Sequence, residues 1–278
     1  MEILSFEQEF ERSCPGNVHI LKKMREAIGV REVQWKHLTT LNLSKVREHI
    51  CSIVAGNSSC TYLAIIKAFL ARYQDEGIIP CKNPKKELKA KRVPSQNVFL
   101  TEEEIERIER YEPKTFCEMD VKAAFLIECY LGARRSDVEK ITGENIRDGR
   151  IVYVSKKTHV ECSVPIHKNL MKYLHYKPVA KRDRSVANRT IQRICKNVGI
   201  DTEVQIFYHG KLAKRPKYEF VGSHTARRSF CSNLAKRGVD IYTIAALAGH
   251  SQNVTMTQRY IVTDVNKLSD EAMDFFNG

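Results

Sequence analysis

The sequence predicts an α+β protein that is mainly helical and carries a small β-sheet in its second half. Apolar residues recur at helical spacing along most of the chain, whereas residues 149–167 alternate as strand residues do. The chain is 42% hydrophobic and 28% charged, close to globular averages, so we expect a folded protein. A length of 278 residues is sufficient for two domains, each with its own core.

Residues 1–80 are predicted to form the first domain, which is entirely helical. Helical periodicity runs through the segments FEQEFERS, LSKVREHICSIVAG and TYLAIIKAFLARYQDEG. In the third segment Leu63, Ile66 and Phe69 belong to an apolar stripe that we expect in the core. Gly77 is expected to end that helix.

A basic linker is predicted over residues 81–97. The sequence around it, IPCKNPKKELKAKRVPSQ, has three prolines, many lysines and no apolar period. Such a segment is either a solvated tether or a cationic strap that helps two domains to close around a duplex, because each lysine adds attraction to phosphate.

The second domain is predicted over residues 98–278. It begins with a capping box, since Glu104 follows Thr101 by three residues in front of an acidic first turn. The next helix, in MDVKAAFLIECYL, is apolar on nearly all sides and is expected to end at Gly132, with Ser136 capping a restart. Arg134 then lies in a tight turn, where it either reaches an anion or pairs with a carboxylate or a helix C-terminus.

The segment GRIVYVSKKTHVECSVPIH predicts a β-hairpin, because it alternates on both sides of SKKTH. Lys156 and Lys157 lie at its tip, where a lysine is either solvated or functional. Weaker signals follow: a helix in SVANRTIQRICKNVGI, then a strand in VQIFYHG.

Two more helices are predicted after residue 222. Ser223 or Thr225 is expected to cap the first, which ends at Gly238, and Asp240 is expected to cap the second, which ends at Gly249. A last helix is predicted in KLSDEAMDFF. It either packs on its own core or is offered to a neighbouring subunit.

This stretch carries side chains suited to holding and attacking a phosphodiester. His224 and Arg227 share one face at a helix start, where the N–H groups and the dipole already favour an anion. His250 follows a glycine, and Tyr260 lies ten residues beyond it.

The composition restricts partners and compartment. The net charge of +13 and the pI near 9.3 indicate a nucleic-acid partner first and an anionic membrane surface second, the alternative being a merely solubilising surface. With no apolar span of membrane length and no signal peptide, we expect a cytoplasmic protein. Nine scattered cysteines form neither a disulfide framework nor a zinc pair, and we predict no cofactor or metal.

Five motifs occur in order: GARRSD, the lysine hairpin, HTAR, GH and QRY. Together they resemble the catalytic signature of the tyrosine recombinases, the phage integrase family. The resemblance covers residues 98–278, and the helical domain is similar in size and place to that family's core-binding domain, which clamps DNA. It places the catalytic residues at Arg134, Lys157, His224, Arg227, His250 and Tyr260.

The resemblance also implies a role for each position. Tyr260 matches the nucleophile, Lys157 matches the hairpin lysine with Lys156 as the alternative, and Asp137 stands at the acidic position after the first arginine. The sequence departs from the family's pattern in two ways. The step from His250 to Tyr260 is one residue longer than expected, and Arg228 replaces the second His of HxxRH members.

The function implied is site-specific recombination for a phage or mobile element, through a 3′-phosphotyrosyl intermediate and without metal or ATP. The implied working unit is a homotetramer on two double-stranded DNA sites, with the last helix docking on the next subunit. Two alternatives stay open: a type IB topoisomerase, and a DNA-binding protein without catalysis.

Overall fold

A computed structural model of the protein describes residues 4–54, 56–91, 98–174, 183–208, 211–250 and 254–261. In these ranges the helices are α1 Phe6–Ser13, α2 His19–Ile28, α3 Thr40–Ile53, α4 Gly56–Leu70, α5 Pro84–Glu87, α6 Glu102–Arg110, α7 Phe116–Leu131, α8 Arg135–Val138, α9 Met171–Leu174, α10 Arg184–Asn197, α11 Ser223–Lys236, α12 Ile241–Leu247 and α13 Val254–Gln258. The strands are β1 Ile146–Arg147, β2 Arg150–Val154, β3 Glu161–Pro165, β4 Glu203–Tyr208 and β5 Lys211–Pro216.

Contacts between Cα atoms divide the chain into two compact units. One comprises residues 1–95 with 207–213, and the other comprises residues 96–206 with 214–278.

The first unit is helical, and the predicted apolar stripe of α4 lies in its core. Leu63 and Ile66 are fully buried, and the ring of Phe69 packs edge-on against the rings of α1. Helix α4 ends at Leu70 and continues as a short 3₁₀ turn, so it stops before Gly77.

The structure differs from the sequence prediction at the start of the linker. Cys81 and Leu88 are buried in the core of the first unit, and α5 forms between them, capped by Asn83. Residues 81–91 therefore pack as part of the helical unit, because two apolar side chains among the lysines reach its core. Residues 92–97 of the predicted linker lie outside the described residues.

In the second unit α6 and α7 form as predicted. The Thr101 hydroxyl accepts the N–H of Glu104 at 3.3 Å, and the Glu104 carboxylate accepts the N–H of Thr101 at 2.8 Å. Helix α7 is buried on nearly all sides and ends at Gly132, whose φ is 62°. The predicted Ser136 cap is wrong, because α8 already begins at Arg135 with Arg134 as its N-cap residue.

The predicted hairpin is present within an antiparallel sheet ordered β1-β2-β3. Ile151 is paired with Val164, and Tyr153 with Cys162, and all four side chains are buried on one face of the sheet. Strand β4 was expected, whereas its partner β5 was not, since KLAKRP is basic and shows no alternation.

The mainly helical α+β fold class is thus confirmed. Among the helices of the described ranges, none combines the length and the apolar character needed to cross a bilayer. The predicted helix KLSDEAMDFF lies outside the described residues.

Candidate active site

Five of the predicted site residues line one open cavity of about 670 Å³ in the second unit. They are contributed by the start of α8, the β2–β3 turn, the first turn of α11 and the segment after α13: Arg134, Lys157, His224, Arg227 and Tyr260. Asp137 and His250 are both buried beside this cavity rather than on its wall. The fold therefore assembles positions that are up to 126 residues apart, from Arg134 to Tyr260, around one space.

Arg134 is oriented by a serine. Its Nη1 donates a hydrogen bond to the Ser155 hydroxyl at 2.8 Å, and that hydroxyl donates to Asp137 Oδ2 at 3.1 Å. The other oxygen of Asp137 accepts the backbone N–H of Lys156 at 3.0 Å. Within the described residues Arg134 makes no direct ion pair with a carboxylate, so the carboxylate fixes the hairpin while the guanidinium keeps its charge for an anion.

The hairpin turn directs one of its two lysines at the cavity. Lys157 lines it and Lys156 does not, although both are exposed. The turn is also tied to the end of α12, because the Thr158 hydroxyl donates to the carbonyl of Gly249 at 3.0 Å. This placement favours Lys157 over Lys156 as the reacting lysine.

Arg227 is the most deeply buried cation of the site, with 1% of its surface exposed. Its Nη1 donates to the carbonyl of Gly132 at 2.6 Å, while its Nε and Nη2 find no partner within the described part of the chain. Burial, and then the charge of Arg134, lower the pKa of Arg227, which still remains a cation. A buried cation with free donors is costly unless an anion binds it, so the cavity is built for one.

His224 lies exposed on the first turn of α11 and lines the cavity. The predicted caps of this helix are wrong: Gly222 is the N-cap residue, and Thr225 acts from inside the helix by accepting the N–H of Gly222 at 3.0 Å. Desolvation, and then the charges of nearby arginines and Lys157, lower the pKa of His224. The imidazole is therefore neutral at pH 7 and able to accept a proton.

His250 lies behind Tyr260, with their ring centroids 5.0 Å apart. Its Nδ1 is 2.9 Å from the Thr257 hydroxyl, and its buried Nε2 has no partner among the described residues. Burial, followed by the charges of Arg227 and Arg134, lowers the pKa of His250 to about 3. This imidazole is also neutral at pH 7.

Tyr260 lies on the cavity wall despite the longer step from His250. Helix α13 occupies part of that step, and the N–H of Tyr260 donates to the carbonyl of Thr257 at 2.8 Å. Its own carbonyl accepts the Ser232 hydroxyl at 3.3 Å, and the Arg227 guanidinium lies 5.2 Å from the ring centroid. The backbone is thus held at both the carbonyl and the N–H.

Sequence reasoning missed three contributors to the site. Arg184, at the start of α10, lines the cavity, in a region whose sequence signals were weak. Ser155 and Thr257 orient Arg134 and His250 through hydroxyl groups. Serine and threonine are common everywhere, and only the position of Ser155 next to the hairpin lysines pointed to it.

Gly249→Ala is expected to destabilise the protein and misplace His250. Gly249 has φ 61°, and a Cβ there would overlap Cys162 Sγ. We expect the free energy of unfolding to fall by about 2–5 kcal/mol, from left-handed strain plus overpacking. Equilibrium unfolding in urea measures this change in the free energy of unfolding.

Gly238→Ala is the matched control, since its φ is 81° and a Cβ there meets nothing within 4 Å. It should cost only the strain, about 1–2 kcal/mol. Equal losses in the two variants would contradict the packing role of Gly249.

The cavity has cations on several sides, a phenol and one neutral imidazole, that of His224, on its wall, and a second neutral imidazole, that of His250, buried behind the phenol. Such a set can hold a phosphodiester, neutralise its charge and supply a nucleophile.

Comparison with known proteins identifies the family to which this chain belongs. The family model described as the phage integrase family matches residues 98–267. Tyrosine recombinase XerC of Rickettsia rickettsii (strain Sheila Smith) is 26% identical over an alignment 250 positions long, and the match covers 84% of this chain and 79% of the relative.

Solved structures with the same fold include a lambda integrase dimer bound to a COC' core site. Its TM-score is 0.66 at 15% identity, covering 92% of this chain and 95% of that one. XerH site-specific recombinase bound to palindromic difH has a TM-score of 0.64 at 15% identity, and the match covers 94% of this chain and 79% of the XerH chain. The chain therefore belongs to the phage integrase family, the tyrosine recombinases, which are enzymes that cleave and rejoin DNA strands.

Proposed function

We propose that this protein is a site-specific recombinase whose Tyr260 attacks a DNA phosphodiester. The phenolic oxygen forms a bond to phosphorus, the bond to the 5′-oxygen breaks, and the products are a 3′-phosphotyrosyl linkage and a free 5′-hydroxyl. The observation that carries this proposal is the presence of Tyr260 in the same cavity as Arg134, Arg227 and Lys157.

Each neighbour has a part that its position supports. Arg134 and Arg227 bind the non-bridging oxygens, because each presents guanidinium donors that no carboxylate neutralises within the described residues. His224, neutral and on the cavity wall, accepts the phenolic proton. Lys157 donates a proton to the departing 5′-oxygen. Attack by a second strand's 5′-hydroxyl reverses these steps and rejoins the DNA without ATP.

His250 contributes to this step from behind the phenol. Its neutral ring packs beside the Tyr260 ring and is fixed by Thr257. It therefore orients the nucleophile, while His224 faces the cavity.

For the assembly, we propose a homotetramer on two double-stranded DNA sites, with residues 1–80 clamping the duplex and the KLSDEAMDFF helix docking on the next subunit. One protein of the same fold, lambda integrase, has been solved as a tetramer on a Holliday junction. The basic charge of +13 supports the DNA partner.

We propose that this recombination serves a phage or mobile element. Among proteins of this fold is the Tn1549 transposon integrase, in complex with a circular intermediate DNA. The curated relatives are instead named tyrosine recombinase XerC. Recombination assays with paired element ends and with paired chromosomal sites separate the two tasks, and exchange only at chromosomal sites would contradict the mobile-element proposal.

A nicked suicide duplex tests the chemistry. Cleavage next to the nick releases a short fragment, so a covalent protein–DNA adduct accumulates and survives denaturant. We expect the adduct in EDTA as well, because side-chain cations supply the charge neutralisation. Absence of the adduct on every candidate site, with DNA binding intact, would favour the DNA-binding protein without catalysis. Relaxation of supercoiled plasmid without a cognate site would favour a type IB topoisomerase.

Arg134→Lys is expected to slow cleavage about 10²-fold while DNA affinity stays within about threefold, because a point charge cannot replace the guanidinium fork. Single-turnover cleavage and a binding titration measure the two effects.

Arg150→Lys is the matched control. Arg150 also donates to a serine hydroxyl, that of Ser163 at 2.7 Å, but it lies outside the cavity. Its cleavage rate should be unchanged. A normal rate in Arg134→Lys would remove Arg134 from the phosphate site.

A further inference from the structure

The ring of Tyr260 is contacted by two consecutive arginines of α11. Cζ of Arg227 lies 5.2 Å from the ring centroid, and Cζ of Arg228 lies 5.9 Å from it. The ring of His250 is a third neighbour, tilted by 32°. Both guanidinium groups are within the range of a cation–π contact.

The two arginines differ in what else they reach. Arg227 lines the cavity and donates to the carbonyl of Gly132. Arg228 is not among the described residues that line the cavity, and its buried Nε has no partner among them. Arg228 therefore faces the nucleophile's ring but not the space where the phosphate binds.

Within the part of the chain that the structure describes, no carboxylate pairs with Arg228. On α11 it is close to His224, Arg227 and Cys231, and from the segment after α13 it faces Tyr260. Burial lowers the pKa of Arg228, and Tyr260 and Cys231 oppose that shift. Of these two, only Tyr260 becomes anionic during the proposed reaction.

We propose that Arg228 is a positioning residue for the nucleophile: its guanidinium holds the Tyr260 ring beside Arg227 and stabilises the phenoxide as the proton leaves. This role rests on the proposed function. A permanent cation takes the place where HxxRH members carry a titratable histidine, so its charge persists at every pH at which the protein is folded.

Arg228→Gln removes the charge and is tested on the nicked duplex from pH 6 to pH 9.5. We expect single-turnover cleavage to be about tenfold slower at pH 7, in the range of a partly desolvated cation–π contact. We expect the deficit at each pH in this range, because the guanidinium of the wild type keeps its charge throughout. Cleavage by folded Arg228→Gln at the wild-type rate would overturn the proposal.

Arg228→Lys keeps the charge and covers the case in which Arg228→Gln does not fold, as judged by thermal unfolding. It should cleave within about threefold of the wild type across the same pH range. A loss of about thirtyfold or more in folded Arg228→Lys would overturn the proposal.

The salt dependence of DNA binding separates this role from a phosphate contact. Losing one phosphate contact lowers the slope of log affinity against log salt by about 1. We expect the slope of Arg228→Gln to equal that of the wild type, and a decrease of about 1 would assign Arg228 to the DNA instead. The wild-type adduct tests the proposed function separately, since its formation does not depend on the outcome for Arg228.

Discussion

Tyr260→Phe is expected to abolish the covalent adduct with DNA while leaving DNA affinity within about twofold. The substitution removes the attacking oxygen and keeps the ring that contacts Arg227 and His250. Loss of a nucleophile costs at least about 10⁴-fold in rate, so no adduct should be seen on a denaturing gel with end-labelled nicked duplex. A binding titration on the same duplex measures the affinity.

Tyr242→Phe is the control for this experiment. Tyr242 is 70% exposed on α12 and lies outside the cavity, so its variant should form the adduct at the wild-type rate. An adduct with Tyr260→Phe, or its loss with Tyr242→Phe, would move the nucleophile away from Tyr260.

Lys157→Ala is expected to slow cleavage about 10³-fold, within the range that a general acid contributes. Without a proton donor, the 5′-oxygen must leave as an alkoxide, whereas the attacking phenol and the two arginines are unchanged. Lys156→Ala is the matched control, because it removes the neighbouring lysine of the same turn, which does not line the cavity. We expect its cleavage rate to stay within about threefold of the wild type.

A modified substrate identifies the step in which Lys157 acts. When sulfur replaces the bridging 5′-oxygen, the leaving group is a thiolate, which needs no proton because a thiol ionises near pH 8.5. Lys157→Ala should then cleave within about tenfold of the wild type, while Arg134→Lys stays slow because the non-bridging oxygens are the same. A persistent defect of Lys157→Ala on this substrate would exclude Lys157 as the acid.

Local patterns were sufficient to predict most of the elements. The capping box of Thr101 and Glu104, the buried α7 ended by Gly132 and the alternation of β2 and β3 all appear as expected. Each of these features depends on residues within one turn or one hairpin, so all of the interacting residues are close together in the sequence. Predictions failed where contacts with residues far away in the sequence determine the structure. Residues 81–91 have the composition of a linker, but the side chains of Cys81 and Leu88 are buried in the core of the first unit.

The order of the motifs predicted the main residues of the candidate site, but it did not predict the side chains that orient them or complete the cavity wall. Thr257 and Arg184 have no sequence signal of their own, and Ser155 has only its place next to the hairpin lysines, because their roles depend on which groups they meet across the fold.

The sequence by itself determined the α+β class, the basic charge and the ordered motifs that nominate the candidate site residues. Only the tertiary structure decided that Lys157 rather than Lys156 faces the cavity, that Tyr260 reaches it despite the longer step from His250, and that Arg228 faces the Tyr260 ring instead of the cavity. The physical reason is that periodicity and capping are local, whereas the direction of a side chain in a turn is set by what packs against it.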